Sequence, residues 1–154
     1  MHLLLAAISD LLQKRRPVKP TIIALLADER DRKVVSDFCR RGHWDVSFAG
    51  TSPEALALMD RVKAQILFMD RDLAGTDWRE AMSIFASSDG KICIILISRV
   101  VDGYLWNEVV HNGGYEVLPK PLREEDVSRT VRLAWSYWNS ASQTSAMAKT
   151  TAKK

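Results

Sequence analysis

Four places in this chain bring reactive side chains to the end of an apolar run. Asp28-Glu29 follow Ile22–Ala27, Asp70 follows Ile66–Met69, Ser98 follows Ile92–Ile97, and Lys120 follows Glu116–Leu118 and Pro119. Carboxylates gathered on one rim repel each other unless a cation joins them, and a hard divalent ion such as Mg2+ is the usual answer. A carboxylate so placed can attack a phosphoryl group and form an aspartyl phosphate. A neighbouring ammonium and hydroxyl then offset or hydrogen-bond the phosphoryl oxygens. Taken singly these residues have plainer uses: a carboxylate caps a helix, a serine closes a turn, a lysine is solvated.

The chemistry requires that the runs be neighbours, and the pattern between them supplies this. Ile22–Ala27 reads as a strand buried on both faces, and Val34, Val35 and Phe38 then mark a helix over 31–42 that Gly42 stops. Val46–Ala49 is a second strand, followed by a helix with Ser52 as N-cap and Pro53 in its first turn. Asp77 and Glu80 form a capping box for a helix carrying Met82 and Phe85. A helix over 102–112 ends at Gly113-Gly114, and Val127, Val131, Ala134, Trp135 and Trp138 share one face of a last helix. Five strands alternating with five helices predict an α/β fold: a five-stranded parallel sheet in the order 2-1-3-4-5, helices on both faces, spanning 21–138. In such sheets ligands meet the carboxyl ends of the strands, where the reactive residues stand.

Composition narrows the class. A chain of 154 residues, 47% hydrophobic and 27% charged, suits one domain, and no apolar run is long enough to span a membrane. Cys39 and Cys93 are far apart with no C-x-x-C, which argues against a zinc site or a disulfide framework and for a reducing cytoplasm. Residues 1–20 and 140–154 each carry a net charge of +3, leaving −3 between them, so the basic character belongs to the ends. The expected organisation is an extension over 1–20 (an apolar helix around Leu3–Leu12, then a basic linker), a domain over 21–138, and a disordered basic tail over 139–154. The extension makes a poor secretory signal, because its charges follow the apolar stretch; a docking helix, a partner-binding arm and a misassigned start all remain open.

The motifs together resemble the receiver domain of two-component response regulators. Phe68-Met69-Asp70-Arg71-Asp72-Leu73-Ala74-Gly75 is similar to that family's phosphoacceptor segment, and Ile95-Leu96-Ile97-Ser98 to its strand ending in Thr or Ser. Gly113-Gly114-Tyr115-Glu116-Val117-Leu118-Pro119-Lys120-Pro121-Leu122 is close to its Lys-Pro element. The resemblance implies a flavodoxin-like, doubly wound sheet. It implies Asp70 as phosphoacceptor, Mg2+ held by Asp28 or Glu29, Asp70 and the backbone carbonyl of Asp72, and Ser98 and Lys120 on the phosphoryl oxygens. It also implies a histidine kinase or phosphotransfer protein as donor, and a phosphoacceptor rather than an enzyme turning over external substrates.

The departures carry information too. Only Asp28-Glu29 match an acid cluster that usually holds two or three members, and Ala74 and Trp78 replace a usual Pro and a frequent Gly. Val117 stands where an aromatic ring normally moves on activation, and Arg99 follows Ser98 where a small residue is usual. Arg99 could pair with Asp70 or Asp72, clamp a phosphoryl group, or point to solvent. A degenerate receiver working as an interaction module without phosphorylation is therefore the chief rival. A haloacid-dehalogenase-type phosphatase fits poorly, since its Asp-x-Asp pair follows the first strand, and residues 27–31 offer no Gly-rich turn for a dinucleotide. Nothing after Asn139 is long enough for a helix-turn-helix domain, so no specific nucleic acid is expected and output goes to a protein target. The face of the fourth helix, fifth strand and last helix, with Trp106 and Trp135, is the expected surface for that target or for homodimerisation.

Overall fold

The computed structural model describes residues 20–88 and 92–152, the last eleven by their backbone alone. The strands are β1 (Thr21–Leu25), β2 (Asp45–Ala49), β3 (Ile66–Asp70), β4 (Cys93–Ser98) and β5 (Glu116–Pro119). They form one parallel sheet in the order β2-β1-β3-β4-β5. The helices are α1 (Glu29–Gly42), α2 (Ser52–Arg61), α3 (Trp78–Ser87), α4 (Gly103–His111) and α5 (Glu124–Ala152).

Alternate strand residues point to opposite faces, and here both faces are dry. Ile23, Leu25, Leu67, Met69, Ile94 and Leu96 pack with Ala55, Met82, Phe85, Leu105 and Val109 of α2, α3 and α4. Their neighbours Ile22, Ala24, Ile66, Phe68, Ile95 and Ile97 pack with Val35 and Phe38 of α1 and Val127, Val131 and Ala134 of α5. β3 and β4 are buried along their whole length, which is why they read as continuous apolar runs. Reactive groups can reach solvent only at the strand ends.

Several local expectations are corrected. His43, at φ 56°, supplies the left-handed turn that ends α1, one residue past Gly42. Thr51, not Ser52, caps α2 by accepting a hydrogen bond from the Glu54 amide. Asp77 caps α3 through the Arg79 amide, and Glu80 returns no bond to complete a box among the described residues. The tail expected to be disordered over 139–154 has helical backbone through Ala152, and no Gly or Pro follows Pro121 to break it. The extension over 1–20 lies, apart from Pro20, outside the described residues, as do residues 153–154.

Candidate functional site

The order β2-β1-β3 makes the chain leave β1 and β3 in opposite lateral directions, and the crevice where they part is the ligand-binding place in this architecture. Asp70 closes β3 there. The Arg71 amide still bonds the Ile97 carbonyl at 2.9 Å, so Asp70 is held in the sheet rather than in a loop. Its Oδ1 accepts the Asp72 amide at 2.8 Å and its Oδ2 accepts a hydrogen bond from Lys120 Nζ at 2.5 Å. Lys120 is fixed in turn by its own amide, which donates to the Ser98 carbonyl at 2.9 Å.

A third group completes the cluster. Asp31, in the first turn of α1 and 4% exposed, brings Oδ2 to 3.1 Å from Lys120 Nζ. That distance makes an ion pair, and the oxygen has no hydrogen-bond partner among the described residues. One ammonium thus stands between two buried carboxylates. Burial alone would lower the Lys120 pKa; the hydrogen bond to Asp70 and the negative charges of Asp70 and Asp31 outweigh it and hold the pKa above the ordinary lysine value.

No protein-family model matches the sequence, and the search of curated proteins gives no match. Solved structures do match. The chemotaxis response regulator CheY4 of Vibrio cholerae superposes with a TM-score of 0.70 at 17% identity, over 76% of this chain and 99% of that one. A response regulator from Thermotoga maritima gives 0.71 at 19%, over 77% and 99%. A two-component response regulator from Clostridium difficile gives 0.69 at 16%, over 75% and 95%. The chain has the receiver-domain fold.

Set against the receiver pattern, the predicted site residues divide into two groups. Asp70 and Lys120 converge. Asp28 does not: it is the N-cap of α1, its Oδ1 held by the Arg30 amide at 2.8 Å, and Glu29 is exposed with no partner among the described residues. The acid that joins Asp70 and Lys120 is Asp31. Its sequence signal was an acid in the buried stripe of α1, since Asp31, Val35 and Phe38 are spaced i, i+4, i+7.

Ser98 is fully buried, and its hydroxyl is spent on its own loop. It donates to the Val100 carbonyl at 2.7 Å and accepts from the Val100 amide at 3.2 Å, with no bond to Asp70 or Lys120. Arg99 is exposed and makes no ion pair with Asp70 or Asp72. Asp72 is itself exposed and contributes its amide, not its carboxylate, to the cluster. Val117 is buried in β5, so no ring occupies its place.

The same geometry tests the expected Mg2+. Mg2+ takes one or two carboxylates and keeps water in the rest of its shell, and two carboxylates converge here, on an ammonium. No group of three His, Cys, Asp or Glu side chains fit to hold an ion occurs among the described residues. The Asp28 and Glu29 ligand set is not formed, and the carboxylates that would hold the ion here are Asp31 and Asp70. A groove of about 1200 Å³ between α1 and α5, against Arg41, Arg123 and Arg132, is lined by none of these residues.

Proposed function

We propose that this protein is a single-domain response regulator whose Asp70 accepts a phosphoryl group from a histidine kinase or phosphotransfer protein in the cytoplasm. The observation that carries the reading is the Asp70–Lys120 pair at the carboxyl ends of β3 and β5, on a receiver fold. In the transfer, an Asp70 carboxylate oxygen attacks the phosphorus of a phosphohistidine. The P–N bond breaks, the imidazole nitrogen leaves with the electron pair and takes up a proton, and an acyl phosphate remains on Asp70. The Lys120 ammonium offsets the charge on the phosphoryl oxygens. Output is a contact with a downstream protein, or with a second copy, through α4, β5 and α5, where Tyr104, Trp106 and Val110 are exposed.

A second reading is favoured by the missing ligand set: a degenerate receiver that binds partners without phosphorylation. Intact mass after incubation with acetyl phosphate, with and without Mg2+, separates the two. A phosphoryl increment on the wild type that Asp70→Asn abolishes supports the phosphoacceptor. No increment under either condition refutes it and leaves the interaction module.

A further inference from the structure

The groove between α1 and α5 plays no part in the Asp70 site, and two kinds of side chain line it. Phe38 and Leu133 are apolar, and Arg41, Arg123, Arg129 and Arg132 are cationic. The helix α5 presents two stripes. Val127, Val131 and Ala134, spaced i, i+4, i+7, are buried in the core. Glu125, Arg129, Arg132 and Leu133, spaced i, i+4, i+7, i+8, are all exposed. One exposed leucine needs no explanation by itself, but this one shares a groove with four guanidiniums.

The charge is gathered against the trend of the domain. Residues 21–139 sum to −3, yet the groove is lined by four arginines and only two acids, Glu124 and Glu125. Two of the arginines are paired. Arg41 on α1 holds both oxygens of Glu124 on α5, at 2.8 and 3.0 Å, and Arg129 meets Asp126 at 3.0 Å. The other two are not. Arg132 donates to the neutral Ser128 hydroxyl at 2.6 Å, and Arg123 has no ion pair among the described residues. Exposed guanidiniums without an acid suit forked contacts to carboxylates, and arginine beside apolar surface is enriched in protein interfaces. The Arg41–Glu124 bond ties α1 to α5, so the groove is formed before anything enters it. Its volume of about 1200 Å³ exceeds the ~1000 Å³ of large small-molecule sites and equals about two to three turns of a helix ~10 Å across.

We propose that this groove docks an acidic amphipathic helix of another protein. The helix's carboxylates meet Arg123 and Arg132, and its apolar ridge covers Leu133 and Phe38. A nucleic acid backbone would match the charge but bring no such ridge, and Glu124 and Glu125 would oppose its phosphates. The contact needs no phosphoryl group on Asp70, so its failure and that of the phosphoacceptor reading are separate results.

The test uses the full chain and a labelled helical peptide of about 14 residues, with leucine at i, i+4, i+7 and i+11 and glutamate beside each. A twin peptide carries lysine for every glutamate. Anisotropy at about 50 mM salt should show the acidic peptide bound and the twin at least about tenfold weaker. An Arg123→Glu, Arg132→Glu double variant should lose about tenfold or more in affinity for the acidic peptide at an unchanged Tm. No binding of the acidic peptide, equal binding of the two peptides, or an unaffected double variant overturns the proposal. The unaltered chain gives a reading that no folding defect can blur: peptide-induced amide shifts should gather on α1 and α5, and shifts confined to other elements overturn it. Tighter binding of a DNA duplex of about 20 base pairs, lost in the same variant, assigns the groove to nucleic acid and overturns it too. So does a doubled sedimentation mass that the double variant abolishes, which assigns the groove to a second copy.

Discussion

Replacing Lys120 by Met removes the charge from the centre of the cluster and keeps most of the side-chain bulk. Asp31 and Asp70 then face each other with no counter-ion. Their Oδ2 atoms lie 3.1 and 2.5 Å from Nζ, so they are no more than about 5.6 Å apart. Two unit charges at that separation repel by about 3 kcal/mol at an effective dielectric of ~20. Both side chains are almost wholly buried, and stripping one partner from a buried ion cluster costs about 3–5 kcal/mol. Urea unfolding at pH 7 should therefore show Lys120→Met destabilised by about 3–5 kcal/mol. Adding Asp31→Asn removes one of the repelling charges, so the double variant should recover about 3 kcal/mol. The reasoning fails if Lys120→Met unfolds within 1 kcal/mol of wild type, on the order of an ordinary surface change. It fails equally if Asp31→Asn brings no recovery.

Three further outcomes are expected. Burial, with the Asp45 charge adding to it at Cys39, raises the thiols of Cys39 and Cys93 from 9.0 to about 11. The unfolded chain loses these protons first, so stability is intact below about pH 8.5 and falls as pH rises toward 11, by about 1.4 kcal/mol per thiol at pH 10; Cys93→Ala should flatten that slope in pH-dependent urea titrations. A β-carbon at Gly114 would collide with Val109 Cγ1 and come within 2.9 Å of Met82 Sδ, so Gly114→Ala should cost about 1–3 kcal/mol by thermal unfolding; an unchanged Tm would show that α4 gives way. Arg99→Ala should leave stability within about 0.5 kcal/mol of wild type, and an unchanged acetyl phosphate reaction would confirm a surface residue, whereas a slowed one would give it a role at the site.

The sheet was legible because its strands are buried on both faces and leave unbroken apolar runs. The convergence of Asp70 and Lys120 was legible for a related reason, since a parallel sheet brings the carboxyl ends of its strands to one edge and only β4 separates β3 from β5. Asp31 was harder to see. It lies in the first turn of α1, where helical periodicity rather than strand-end position decides what it faces, and the acids before it drew attention instead. Helix ends were misread by a residue because capping depends on backbone torsions: His43 takes the left-handed conformation that a glycine usually supplies, and Thr51 rather than Ser52 has the extended backbone of an N-cap. Ser98 could not be placed from sequence, because a hydroxyl chooses its partner by rotation and here the nearest was the backbone of Val100. The backbone of the tail continues α5 to Ala152, and the sequence feature that fits this is the absence of Gly and Pro after Pro121.

The continuity of α5 sets a phase. From Ala141 the helix continues to Ala152, a further rise of about 16 Å, and each residue turns the axis by about 100°. Anything joined after Ala152 inherits an orientation fixed by counting. Inserting two residues would turn it by about 200°, to nearly the opposite side of the domain, while inserting seven would advance it about 10 Å and return it to nearly the same heading. A fluorophore pair, one on the domain and one on the appended module, would read this as an oscillation of transfer efficiency with linker length. A smooth decay would mean that the helix does not carry torque past the sheet.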